Sequence, residues 1–107
     1  MSQAVAILST TLISFDDGNY NYKKLTSPLY PYELDRIPHY VGHPATKYIL
    51  DSLGAIYVPG GFTGLKVGES FYVAQLKDGR KGAAFTVDQP NVTPDDIKWG
   101  IVTRLPD

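Results

Sequence analysis

The sequence predicts an α/β domain of mixed α+β type. About five strands form one mixed sheet, with one main helix and short helical turns packed on it. Three stretches carry this reading. Ser70–Leu76 (SFYVAQL) is β-compatible with apolar residues on both faces, which places it centrally in the sheet. Ala45, Ile49 and Leu53 recur at helical spacing, and Gly54 follows as a C-terminal stop. Lys98–Leu105 alternates Trp99, Ile101, Thr103 and Leu105 against Lys98, Gly100, Val102 and Arg104, the period of a strand.

In chain order, Ala4–Leu8 reads as a first strand buried on both faces and continuing through Ser9–Ile13. Asp16-Asp17-Gly18-Asn19 signals a turn. Tyr20–Leu25 follows as an edge strand, with Lys23 and Lys24 discouraging pairing to another chain. Pro28, Pro31 and Pro38 deny Ser27–Pro38 a long helix and leave room for one turn around Tyr32–Arg36. The segment is either a lid or a rigid surface connection. Pro44 suits the first helical position, since its missing N–H has no intrahelical partner there, so the main helix runs Pro44–Leu53. Ala55–Val58 is a short strand and Pro59-Gly60-Gly61 a turn. Asp78-Gly79 is a hairpin signal with Ala83–Val87 as its return strand. Thr93-Pro94-Asp95-Asp96 is a capped short helix.

The 107 residues fit one domain, 1–107, without repeat, linker or low-complexity tract. Hydrophobic residues make up 43% and charged residues 20%, ordinary for a globular chain. A net charge of −1 supplies no basic field for duplex nucleic acid or an anionic membrane, so neither is expected as a partner. No apolar run approaches the roughly 20 residues of a membrane span. The N-terminal Met1–Ile13 lacks a basic lead, so a signal peptide is not expected either. The absence of cysteine excludes disulfides and thiolate metal sites and suits a reducing, cytoplasmic compartment. His39 and His43 are the only histidines, spaced i, i+4, but Pro44 starts the helix after them. The pair therefore straddles a turn, and no metal site is expected.

The chemistry centres on Val41-Gly42-His43-Pro44-Ala45-Thr46-Lys47. A helix N-terminus presents unpaired N–H groups and a partial positive charge, which suits an anion. His43 stands there either as a structural cap or as an acid–base group beside a bound phosphate, held by the amides near Ala45 and Thr46. The Thr46 hydroxyl either bonds a ligand oxygen or returns to the backbone. Gln75 is a polar side chain on a buried strand and needs a partner or a ligand. Arg80 is a phosphate partner or an exposed turn residue. Tyr30, Tyr32, Tyr40 and Tyr48 are candidates for base stacking. With so few groups, a twofold dimer that duplicates the histidine around a shared cavity is the economical design.

The order of landmarks resembles a known family. A hydroxyl-rich strand end (Leu8-Ser9-Thr10-Thr11-Leu12) comes first, then Gly42-His43-x-x-Thr46 opening a helix that ends Leu53-Gly54, then Val73-x-Gln75 in a strong strand, then a closing strand Trp99–Leu105. This is similar to the viral type III anti-CRISPR ring nucleases, small dimeric proteins of archaeal viruses, phages and mobile elements. The resemblance implies a homodimer that binds cyclic tetra-adenylate, a second messenger of type III CRISPR immunity, and cleaves it without metal or cofactor. A ribose 2′-OH attacks the neighbouring phosphorus, and the histidine matching His43 protonates the departing 5′-oxygen. Thr10, Thr11, Gly42, Ala45, Thr46, Gln75, Asp78 and Arg80 fall at ligand-binding positions. Where the family carries an arginine and a glutamate after the strong strand, this chain reads Lys77-Asp78-Gly79-Arg80-Lys81. Thr10 stands where the family often has asparagine, and Pro59–Gly64 lacks the family's arginine. The alternative is a sponge that holds a cyclic nucleotide without cleaving it.

Overall fold

A computed structural model describes residues 4–9, 19–26, 29, 31–62, 64–77, 86, 88 and 91–106. Two long strands form the spine of the sheet. β5 (Ser70–Leu76) and β6 (Ile97–Leu105) pair antiparallel, with Phe71 opposite Val102 and Ala74 opposite Trp99. On the outer side of β6 lies β2 (Asn19–Lys24), also antiparallel, which forms the edge expected from its lysines. On the other side of β5 come β1 (Ile7–Leu8), β3 (Pro38–His39) and β4 (Ile56–Tyr57), each parallel to its neighbour. The sheet order is β2-β6-β5-β1-β3-β4, with six strands among the described residues where about five were expected. The unforeseen strand is β3, two residues at the end of the Pro-rich segment. Pro38 is tolerated there as the first residue of its strand.

Among the described residues, two α-helices connect these strands. α1 (Pro31–Leu34) is the single turn expected between the prolines. α2 (Pro44–Ser52) joins β3 to β4 as a parallel crossover. Its end is a Schellman motif. The Ala55 N–H bonds the Leu50 carbonyl at 3.1 Å and the Gly54 N–H bonds the Asp51 carbonyl at 3.1 Å. Gly54 supplies the left-handed residue this requires, at φ 97°. A 3₁₀ turn, Pro94–Asp96, leads into β6, with the Thr93 N–H donating to Asp96 Oδ2 at 2.8 Å.

The alternation along β5 divides the core between the two faces of the sheet. Ala74 and Leu76 point to the α2 side, where they meet Ile7, Trp99 and the helix residues Ala45, Ile49, Leu50 and Leu53. Phe71 and Val73 point to the other side, against Ala6, Leu8, Leu65 and Val102. β1 contributes to both faces, as its apolar run implies. Only Ile7 and Leu8 of the expected Ala4–Leu8 run pair as a strand, although Ala4 and Ala6 are buried beside it. Its continuation through residues 10–13 and the Asp78-Gly79 turn lie outside the described residues. Of the return strand expected over Ala83–Val87, only Thr86 is described, and it lies in no element. Among the described residues, no helix is long and apolar enough to cross a membrane.

Candidate functional site

The carboxyl ends of β1, β3 and β5 lie side by side, because β1 pairs parallel with both of the other strands. In open sheets with parallel strands, ligands collect at this end. Here the crevice is an open cavity of about 340 Å³ lined by Ser9, His43, Thr46, Ala74, Gln75 and Leu76. Each lining group has a local reason for its place. β1 ends at Leu8, so Ser9 is the first residue past the strand. β5 ends at Leu76, so Gln75 is its penultimate residue, and its Nε2 donates to the Ser9 carbonyl at 2.8 Å. That bond ties the two strand ends together and gives the half-buried glutamine the partner its position demands.

His43 is the N-cap residue of α2, extended at φ −65° and ψ 123°, and its carbonyl accepts the Lys47 N–H at 2.8 Å. Its side chain makes no capping bond and is exposed. His43 lines the cavity, and its imidazole is not used up in closing the helix. Pro44 occupies the first helical position as expected. Thr46, one turn in, is buried and lines the cavity. The first turn of α2 carries no acidic side chain, so the partial positive charge at its amides is not neutralised from within the helix.

The structure thus brings together three of the expected residues, His43, Thr46 and Gln75, and adds Ser9, Ala74 and Leu76. Gly42 is exposed beside His43, and a Cβ built on it would lie 3.9 Å from the Tyr57 hydroxyl. The Ala45 side chain is turned into the core under α2. Neither lines the cavity, and Ala45 is left with its backbone amide alone to offer a ligand. Thr10, Thr11, Asp78 and Arg80 lie outside the described residues. Ser9 was within reach of sequence reasoning, as the start of the Ser9-Thr10-Thr11 hydroxyl run.

No protein-family model and no curated protein matches the chain.

Between α2 and β3 lies a cluster that the i, i+4 spacing of the two histidines does not reveal. His39 is fully buried, and its Nε2 lies 2.8 Å from Asp51 Oδ1. Lys47 Nζ donates to Asp51 Oδ2 at 2.7 Å and stands 4.9 Å from the centroid of the Tyr57 ring. Burial by itself would raise the Asp51 carboxyl. The hydrogen bonds from Lys47 and His39 and the charge of Lys47 outweigh it and hold the group below its ordinary 3.8. The two histidines lie on either side of the irregular connection from β3 to α2. His39 is sealed against an aspartate, and His43 lines the cavity.

Proposed function

We propose that this protein binds and degrades a cyclic oligoadenylate, cyclic tetra-adenylate first among them, by metal-independent phosphodiester cleavage. It would act as a homodimeric anti-defence protein of a virus or mobile element in the host cytoplasm. The observation that carries this reading is His43, exposed and without a capping bond, lining the cavity at the N-cap of a helix whose amides suit a phosphate. Thr46 and the first amides of α2 hold a non-bridging phosphate oxygen. The 2′-OH of the preceding ribose attacks phosphorus in line and loses its proton to solvent water, and the bond to the 5′-oxygen breaks as His43 gives that oxygen its proton. The products are a 2′,3′-cyclic phosphate and a 5′-hydroxyl. A twofold dimer would set two His43 side chains around a ring that itself has rotational symmetry.

A second reading, the non-catalytic sponge, draws on a different observation. Among the described lining residues, His43 is the only titratable side chain. One incubation separates the two. With labelled cyclic tetra-adenylate and a chelator present, cleavage gives a linear product, and His43→Ala lowers its rate about 10²–10⁴-fold. Tight binding with the ring recovered intact overturns cleavage and leaves the sponge. No binding of any cyclic oligonucleotide overturns both.

A further inference from the structure

His43, Lys47 and Asp51 follow one another at i, i+4 and i+8, a stripe that starts at the N-cap of α2 and continues with Lys47 and Asp51 on one face of the helix. The His43 carbonyl accepts the Lys47 N–H at 2.8 Å, so a roll of the helix about its own axis carries the His43 backbone with it. The far end of the stripe is pinned. Asp51 Oδ1 lies 2.8 Å from Nε2 of the fully buried His39, on the neighbouring strand β3. The Val41 N–H points to the other ring nitrogen, Nδ1, at 3.4 Å. One neutral tautomer serves both contacts, with the proton on Nε2 donated to the carboxylate and Nδ1 accepting. Lys47, in the middle of the stripe, closes on Asp51 Oδ2 at 2.7 Å. The Tyr57 ring from β4 packs beside this group, 5.4 Å from the His39 ring. At the other end, α2 has no side-chain cap to fix it.

We propose that His39 is a positioning residue for His43. Through Asp51 it fixes the roll of α2 and so aims the His43 imidazole into the cavity. The catalytic part of this proposal rests on the reading of His43 as general acid, while the aiming itself does not.

The test uses two substitutions of His39 and one of Asp51. His39→Phe keeps a buried ring and removes the donor. His39→Gln restores a donor near the position of Nε2. Asp51→Ala breaks the same contact from the exposed side, and so remains informative should His39→Phe not fold. The first readout is the His43 ring carbon–proton signal by NMR, which needs no substrate. It moves in His39→Phe and in Asp51→Ala and returns toward the parent position in His39→Gln. The second is cleavage of cyclic tetra-adenylate. The turnover number falls about 10-fold in the first two variants with KM changed less than about twofold, and recovers in His39→Gln, as expected when a proton donor is misaimed rather than a site lost. A His43 signal that stays put in folded His39→Phe or Asp51→Ala overturns the proposal. So does a His39→Gln variant no better than His39→Phe. If the parent protein cleaves nothing, the reading of the activity fails, and the NMR signal still decides the aiming.

Discussion

At the scale of single residues, Asp51 has the most to say about solution behaviour. Its carboxylate accepts from His39 and Lys47 at 2.8 and 2.7 Å, and its pKa is held below 3.8. A carboxyl whose folded value is depressed contributes stability that is fully present above the unfolded value and lost as pH falls through the folded one. Asp51→Asn should therefore melt below the parent protein at about pH 6, and the gap should close below roughly pH 4. Because the aspartate side chain is 40% exposed, the gap is small, at most about 1 kcal/mol. Thermal melts of both proteins across this range check it, and a gap that widens toward acid would contradict the assignment. His43 differs in kind. Its exposure and lack of a cap leave its removal without a stability cost above about 0.5 kcal/mol. His43→Ala should then melt with the parent while losing cleavage, a pairing that a mere structural cap would not give.

At the scale of elements, α2 shows what local sequence can specify. Pro44 opens it, Ala45 and Ile49 seat it, and Gly54 closes it, each acting through its own backbone or its own turn of helix. All of this is legible because none of it needs a distant partner. β3 is the opposite case. Two residues, one of them proline, carry no period to detect, and the strand exists because Ile7 and Ile56 present ladders on either side. In the sequence, His39 stands out as a chemical candidate spaced i, i+4 from His43. Its partner, Asp51, lies 12 residues on, on the crossover helix α2. The helix stop can be tested directly. At Gly54, φ is 97° and a Cβ would lie 3.2 Å from Asp35 Oδ1. Gly54→Ala should cost about 1–2 kcal/mol through the left-handed backbone, lowering the midpoint by about 4–8 °C per kcal/mol. Gly61 has open space around its Cβ position and no left-handed φ, so Gly61→Ala is the matched control and should melt with the parent. Equal losses in the two variants would remove the Schellman argument.

At the scale of the whole molecule, the cavity is a product of strand pairing. Ser9 and Gln75 are 66 residues apart and meet only because β1 and β5 run parallel with Ile7 opposite Tyr72. The residue types at the site could be read one by one, but their meeting could not, since it depends on a non-local register that no window of sequence contains. The same register separates the site from half of the core. Phe71 is fully buried on the face of the sheet away from α2, among Leu8, Leu65 and Val102 and edge-on to Phe62 at 5.9 Å. Phe71→Ala should cost about 3–5 kcal/mol, a large share of the roughly 5–15 kcal/mol that holds a domain of this size. Yet Ala74 and Leu76, which line the cavity, belong to the core cluster on the opposite face, together with Ala45 of the first turn of α2. In the cold, where the variant is still folded, its affinity for cyclic tetra-adenylate per folded molecule should match the parent within about twofold, and the loss should appear only as the temperature nears its lowered midpoint. Calorimetric titration at low temperature alongside a thermal melt tests this. An affinity lost in step with stability, while the protein is demonstrably folded, would mean that the two faces of the sheet are coupled and that the cavity is held by the whole core.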